Sequence, residues 1–142
     1  MHIIKLHSEN TSKKELFSAM LETAGKGNAL PSDVKKHKAE ILSALLAREK
    51  MGDTCIAPGI VMAHARIVEL KELFLMAAIL SPHRKWEGEN QVKLVFMLLI
   101  PSVLDAKGVE QSRRLMHLLA DDAACANMVK ADTSAELQDI LA

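Results

Sequence analysis

The side chains of this chain best suited to covalent or metal chemistry are six histidines (His2, His7, His37, His64, His83 and His117) and two cysteines, Cys55 and Cys125. No two of the histidines have the i, i+4 spacing of a helical metal site, and no carboxylate cluster accompanies one. We therefore expect no metal and no cofactor. The chain has no glycine-rich phosphate loop and no G-x-S-x-G nucleophile elbow. Cys55 has no base beside it in sequence, and most free cysteines are inert core residues. His64 differs in its company. It lies in GDTCIAPGIVMAHARI, residues 52–67, among Ala57, Gly59, Ala63 and Ala65. Small neighbours leave an imidazole approachable by a partner molecule. A lone histidine on an apolar strand is more commonly a hydrogen-bonded packing residue, and from the residues alone both readings stay open.

Several elements must position this stretch. His2 to Leu6 reads as a short edge strand. Ser12 stands three residues before Glu15, the spacing of a capping box, and opens a helix over about 12–25 with Leu16, Phe17, Met20, Leu21 and Ala24 on one face. Gly25, Gly27 and Asn28 end it. Pro31, Ser32 and Asp33 start a second helix that the pattern carries to about Arg48 or Lys50, with Val34, Ile41, Leu42, Leu45 and Leu46 as its apolar stripe. Residues 54–68 read as two short strands broken at Pro58-Gly59, with His64 near the end of the second. The runs 71–81 and 91–101 are almost continuously apolar and bounded by Gly or Pro, which predicts buried strands. PHRKWEGEN between them reads as a polar hairpin connection that places His83 in a loop. Val109, Ser112, Leu115, Met116 and Leu119 mark one face of a helix over about 105–120, with His117 solvated opposite the leucines. A short helix over 121–129 follows. Thr133 and Glu136 then cap a last helix through Leu137, Ile140 and Leu141. The expected architecture is α/β: one domain over 1–142 in which a single mixed sheet of about five strands is flanked by helices on its faces.

Composition narrows the classes of function. Of 142 residues, 49% are apolar and 25% charged, with 18 basic against 18 acidic side chains. A formal charge of zero argues against nucleic acid as the main partner, since phosphate-backbone binding uses a basic surface. The opening residues lack the apolar core of a signal peptide, and LFLMAAIL and LVFMLLI are too short to span a bilayer. With two unpatterned cysteines, these features predict a reducing cytoplasm and no membrane insertion. Met62, Met76 and Met97 read as core filler.

The segment Arg48–Arg66, REKMGDTCIAPGIVMAHAR, resembles the signature of the enzyme IIA domains of the bacterial phosphoenolpyruvate-dependent sugar phosphotransferase system, in the mannitol–fructose class that includes nitrogen-regulatory members. Arg48-Glu49, Thr54 and Gly59-Ile60 match the family's ordered pattern, and His64 matches its phosphorylated histidine. VKLVFMLLIP (92–101) is similar to its last long strand, LMHLLADD (115–122) to its leucine-rich helix and DTSAELQDIL (132–141) to its closing helix. The family's proline before the histidine is Ala63 here, and two glycines usual after the threonine are Cys55 and Ala57. Many members carry a second histidine at the start of the helix after the last strand. That position aligns with Gly108, with Glu110 nearby, so no histidine stands there.

The resemblance implies a phosphoryl carrier. His64 would be the acceptor, since an imidazole nitrogen can attack phosphorus and hold the group as a phosphoramidate. Arg48 would stabilise the anion, being always charged and offering planar, bidentate donors. By itself Arg48 reads first as a solvated helix-end cation complementing the macrodipole, and Arg66 as a plain surface charge before a partner contact. Thr54 would support the site by hydrogen bonding, or simply favour its strand. The implied partners are an HPr-like phosphodonor and a IIB-like acceptor, on or beside a membrane transporter. The rival implied by the nitrogen-regulatory members is a regulatory module that binds protein partners, with His64 phosphorylation as a switch or lost.

Overall fold

Two apolar runs form the centre of the molecule. The computed structural model describes residues 1–8, 11–88 and 90–142. Strands β4 (Phe74–Lys85) and β5 (Gln91–Ile100) are antiparallel neighbours in the middle of a five-stranded sheet. β1 (His2–His7) lies parallel to β4 on one side. β3 (Ile60–Arg66) lies parallel to β5 on the other, with β2 (Cys55–Ala57) antiparallel to β3 at that edge. The order is β1-β4-β5-β3-β2, a mixed sheet as expected.

Helices cover both faces, which is why the central strands are apolar at nearly every position. On one face α1 (Lys13–Lys26), α2 (Ser32–Lys36) and α3 (Lys38–Glu49) pack Phe17, Met20, Leu21 and Leu45 against Val61, Met76, Val95 and Met97. On the other, α4 (Ala106–Leu119), α5 (Asp122–Lys130) and α6 (Ser134–Leu141) pack Leu115, Met128 and Leu137 against Ile60, Met62, Ile79, Leu94 and Phe96. Each large apolar side chain so buried contributes about 1.5–3 kcal/mol. The methionines Met62, Met76 and Met97 are core residues.

Local chemistry sets the boundaries. Ser12 caps α1 through a complete capping box, with Glu15 N–H donating to Ser12 Oγ at 3.1 Å and Ser12 N–H donating to Glu15 Oε1 at 3.2 Å. At α6, Glu136 N–H donates to Thr133 Oγ1 at 3.1 Å. The Glu136 carboxyl accepts from the Thr133 hydroxyl rather than from its backbone N–H.

The structure corrects four expectations. The helix read from Pro31 to about Arg48 is two helices, interrupted at His37, whose φ of −110° and ψ of 26° leave the helical region. Between Val34 and Ile41 no side chain is buried, so nothing holds a continuous helix across the cationic Lys35–Lys38. The connection PHRKWEGEN is largely strand: β4 continues to Lys85, with Arg84 opposite Val92 and Lys85 opposite Gln91. His83 is therefore an exposed strand residue, and Trp86 is buried (Glu89 lies outside the described residues). In α4 the buried positions are Gly108 and Leu115, with Leu118 and Leu119 half-buried. Val109 and Met116 lie about a quarter-turn away on the exposed side, because the inward stripe runs 108, 115, 118.

Candidate functional site

The edge of the sheet at β3 is only half covered. Pro58 and Gly59 turn the chain sharply between β2 and β3, and Gly59 takes φ +80°, a conformation glycine adopts without strain. The Gly59 carbonyl accepts from both Lys93 N and Leu94 N at 3.0 Å, which fixes the start of β3 against β5. The β2–β3 ladder runs from Ile60 to the bond from Met62 N–H to Thr54 O at 3.0 Å and no further. From Ala63 onward β3 has an open outer edge among the described residues. Strand alternation puts His64 on the same face as Ile60 and Met62, half-buried beside Leu98 of β5.

Two contacts assign the imidazole's protonation. Nδ1 lies 3.0 Å from the carbonyl oxygen of Met62. A carbonyl only accepts, so Nδ1 carries the proton in the neutral ring. Nε2 then presents its lone pair, and Arg48 Nε–H donates to it at 3.2 Å. Arg48 comes from the last turn of α3 and reaches the ring past the open edge. Its Nη1 also donates to Gly52 O at 3.3 Å. The helix-end cation and the strand histidine expected from sequence thus meet directly.

Thr54 lies close by but does not touch the ring. It is 3% exposed and donates through Oγ1 to Glu49 Oε2 at 2.7 Å. Glu49 Oε1 accepts from Trp86 Nε1 at 2.8 Å and from Lys13 Nζ at 3.0 Å. Lys13 also pairs with Glu87 at 2.5 Å. Lys13 Nζ and the Arg84 guanidinium carbon each stand 5.0 Å from the Trp86 ring, and Phe17 packs on it at 6.0 Å between centroids. Burial alone would lower the Lys13 pKa, but its hydrogen bonds and charge attraction to Glu87 and Glu49 outweigh that and raise it. Sequence reasoning gave Glu49, Trp86 and Lys13 no role. A signal for Glu49 was its place directly after Arg48, and for Trp86 its being the sole tryptophan of the chain.

The remaining residues lie apart from the ring. Arg66 is exposed at the end of β3, and the ring nitrogens are held by Met62 and Arg48 instead. Gly108 packs against Leu73, at the entrance to β4, with β5 between that strand and β3. A Cβ there would meet Leu104 Cδ2 at 3.0 Å and Asp105 Oδ1 at 3.2 Å. Glu110 pairs with Arg113 at 2.8 Å. His117 is exposed. Burial and the neighbouring Asp53 push the Cys55 thiol up to about 12, so it carries almost no thiolate at neutral pH. Among the described residues no group of three or more His, Cys, Asp or Glu is placed to hold a metal ion, and no helix is long and apolar enough to cross a membrane.

The fold is that of the phosphotransferase-system IIA proteins. The nitrogen regulatory protein IIA-Ntr of Neisseria meningitidis superposes with a TM-score of 0.72 over 99% of this chain and 93% of its own, at 23% identity. The Escherichia coli mannitol enzyme IIA, solved in complex with phosphorylated enzyme IIB, superposes with a TM-score of 0.66 over 97% and 92%, at 19% identity. In sequence the chain is 30% identical over 133 residues to a nitrogen regulatory protein of Escherichia coli K12, covering 92% of this chain and 78% of that one. Residues 1–142 match the family described as phosphoenolpyruvate-dependent sugar phosphotransferase system, EIIA 2. The chain belongs to that family.

Proposed function

We propose that this protein is a phosphoryl carrier whose acceptor atom is His64 Nε2. The observation that carries the reading is the pair of ring contacts. Met62 O holds the Nδ1 proton, and Arg48 stands at the nitrogen left free to attack. In the proposed step the Nε2 lone pair attacks phosphorus on a phosphohistidine of an HPr-like donor. The Nε2–P bond forms as the donor's N–P bond breaks, and that electron pair returns to the donor nitrogen. The proton stays on Nδ1, hydrogen-bonded to Met62 O, and that carbonyl faces the positive charge spreading into the ring. Arg48 gives up Nε2 and turns its N–H groups onto the phosphoryl oxygens, where a planar cation is well matched to the trigonal anion.

Transfer onward to a IIB-like acceptor reverses the step. Docking would be transient, and exposed Met51, Val68 and Val103 follow α3, β3 and β5 at the end of the sheet that carries His64. We place the protein in the cytoplasm, where two free cysteines stay reduced.

A second reading is favoured by one observation: the position of the family's second histidine is Gly108, buried against Leu73, and so supplies no imidazole. On this reading the protein is a regulatory module that docks on other proteins, with His64 phosphorylation as its switch. Incubation with phosphoenolpyruvate, enzyme I and HPr, followed by intact-mass measurement, tests the reading. A single phosphoryl adduct that vanishes in His64→Ala supports the carrier, and addition of a IIB domain should discharge it. An adduct that IIB leaves in place points to the switch. No adduct overturns phosphoryl acceptance altogether.

A further inference from the structure

The loop between α3 and β2 holds the side chain that touches His64, and local hydrogen bonds shape its two ends: Met51 N–H donates to Arg48 O at 3.0 Å and Cys55 N–H to Asp53 Oδ1 at 2.9 Å. Lys50, Met51, Gly52 and Asp53 are all exposed, and Met51 is 81% so. No apolar burial shapes this segment. Its ends, however, are tied to each other. Glu49 closes α3 and Thr54 precedes β2, and the Thr54 hydroxyl donates to the Glu49 carboxyl at 2.7 Å. That carboxyl is nearly sealed, with 4% of its side chain exposed, and it is anchored by donors from two further elements, Trp86 Nε1 and Lys13 Nζ. Halfway round the loop the Gly52 carbonyl accepts from Arg48 Nη1 at 3.3 Å. Gly52 itself sits at φ +154°, in a region side-chain-bearing residues rarely occupy, and a Cβ there would meet nothing within 4 Å.

We propose that Glu49 and Thr54 are positioning residues: their hydrogen bond closes the 49–54 loop so that the Gly52 carbonyl aims the Arg48 guanidinium at His64 Nε2. The inference rests on the phosphoryl-carrier reading for its consequence, but its geometry is independent of any phosphoryl group. Glu49 touches neither the imidazole nor the position of an incoming phosphoryl group. It acts through Arg48, whose backbone adjoins its own and whose guanidinium is bracketed between Gly52 O and His64 Nε2. Trp86 and Lys13 hold Glu49 in turn, which links the hairpin between β4 and β5, and the start of α1, to the reactive edge of β3.

Three variants test this. Thr54→Val keeps the β-branched shape and removes the hydroxyl. Glu49→Gln keeps the volume and takes away one acceptor from a site that faces donors on both oxygens. Gly52→Ala leaves the Glu49 contacts intact and disturbs only the loop backbone. The first readout is ¹⁵N NMR of the His64 ring in the unphosphorylated protein. We expect wild type to show a proton on Nδ1 and a hydrogen-bonded Nε2, and each variant to move the Nε2 signal toward that of Arg48→Ala. The second readout is the rate of phosphoryl acceptance from phosphorylated HPr. Each variant should slow it about tenfold, in keeping with a sub-ångström to 1 Å loss of aim. In an Arg48→Ala background the same substitutions should slow it no further.

A merely structural role predicts otherwise: lowered melting temperatures, an unmoved Nε2 signal, and equal slowing with or without Arg48. That pattern overturns the proposal, as does an unchanged Nε2 signal in Gly52→Ala, the variant least able to unfold the protein. If wild type accepts no phosphoryl group, the carrier reading fails, and the ring spectra still decide whether Glu49 and Thr54 aim Arg48.

Discussion

If His64 accepts a phosphoryl group as proposed, Arg48→Ala removes two opposing effects, and their sizes decide the outcome. In the resting protein Arg48 Nε–H occupies the Nε2 lone pair at 3.2 Å, so it competes with phosphorus for the nucleophile. A hydrogen bond of this kind contributes about 1 kcal/mol net, and its loss alone would speed attack about fivefold. Against this stands the charge that Arg48 brings to the phosphoryl oxygens. Removing one preorganised donor from an oxyanion site costs about 2.7–4 kcal/mol when the site excludes water. Arg48 and His64 are only half-buried, so the lower end applies. The balance is a loss of about 1.7 kcal/mol in the transition state, or acceptance slowed about twentyfold. Arg48→Lys keeps the charge. A single ammonium, though, does not reproduce a planar fork that meets Gly52 O at 3.3 Å and His64 at 3.2 Å from different nitrogens, and a residual loss of about tenfold is expected. Rapid-quench transfer from phosphorylated HPr, read by intact mass, measures both. Arg48→Ala at or above the wild-type rate would refute the stabilising role, and Arg48→Lys at the wild-type rate would show that charge without geometry suffices.

Restoring the family's second histidine as Gly108→His should not restore a two-histidine site. Its Cβ crowds Leu104 and the Asp105 oxygen that caps α4, so thermal melting should report a loss of about 1–3 kcal/mol while the transfer rate stays unchanged. Cys55 should react with a thiol reagent at pH 8 far more slowly in the folded protein than after denaturation, because burial and Asp53 hold its thiol up to about 12; equal rates would contradict this. Lys13, raised above the ordinary lysine value, contributes stability that is present below that value, about 10.5, and is lost as pH rises through its folded pKa. Urea midpoints of wild type and Lys13→Met should therefore differ at pH 8 and converge as pH rises beyond the ordinary lysine value and through the raised folded one, and parallel curves would remove Lys13 from the alkaline transition.

The parts of this fold that could be read in the sequence are those where a single physical cause dominates. LFLMAAIL and LVFMLLI are apolar because both faces of β4 and β5 are covered, and length with Gly/Pro boundaries separates such strands from helices. The Ser12 cap announces α1 through the residues that satisfy its first amides. The meeting of Arg48 with His64 was legible from the helix end next to the strand pair together with the family pattern. Trp86 was not legible, because it sits in a stretch of charges. Of the two cations at its ring, Arg84 is near in sequence but Lys13 arrives only when α1 packs, and Trp86 then becomes a buried donor to a buried acid. Glu49 was hidden for the matching reason: an acid at a helix end is ordinarily solvated, and only tertiary partners from three elements make its burial tolerable. Val109 and Met116 misled because apolar residues at i, i+7 spacing read as a buried stripe wherever they point.

On the proposed carrier reading, the placement of His64 bears on what kind of donor it would meet. A small phosphorylated metabolite is usually gripped in a cleft that buries most of its surface. Two roomy hollows of this molecule are lined by neither member of the pair. One, of about 560 Å³, runs along Cys55–Gly59, and the other, of about 390 Å³, lies among Leu21, Gly25, Leu30 and Lys35. His64 lies instead on an open strand edge, with an arginine reaching past that edge and exposed Met51, Val68 and Val103 nearby. Such an edge binds a small anion weakly, because water reaches it and screens the Arg48 guanidinium. A donor that is itself a protein brings its own walls. Its docking on the apolar residues would expel that water and strengthen Arg48's hold on the oxygens only while the complex lasts. This argues for an acceptor that reacts with phosphoproteins and is slow with free phosphoryl compounds. Acetyl phosphate at millimolar concentration should therefore label His64 far more slowly than micromolar phosphorylated HPr; comparable labelling would show that the open edge suffices without a partner.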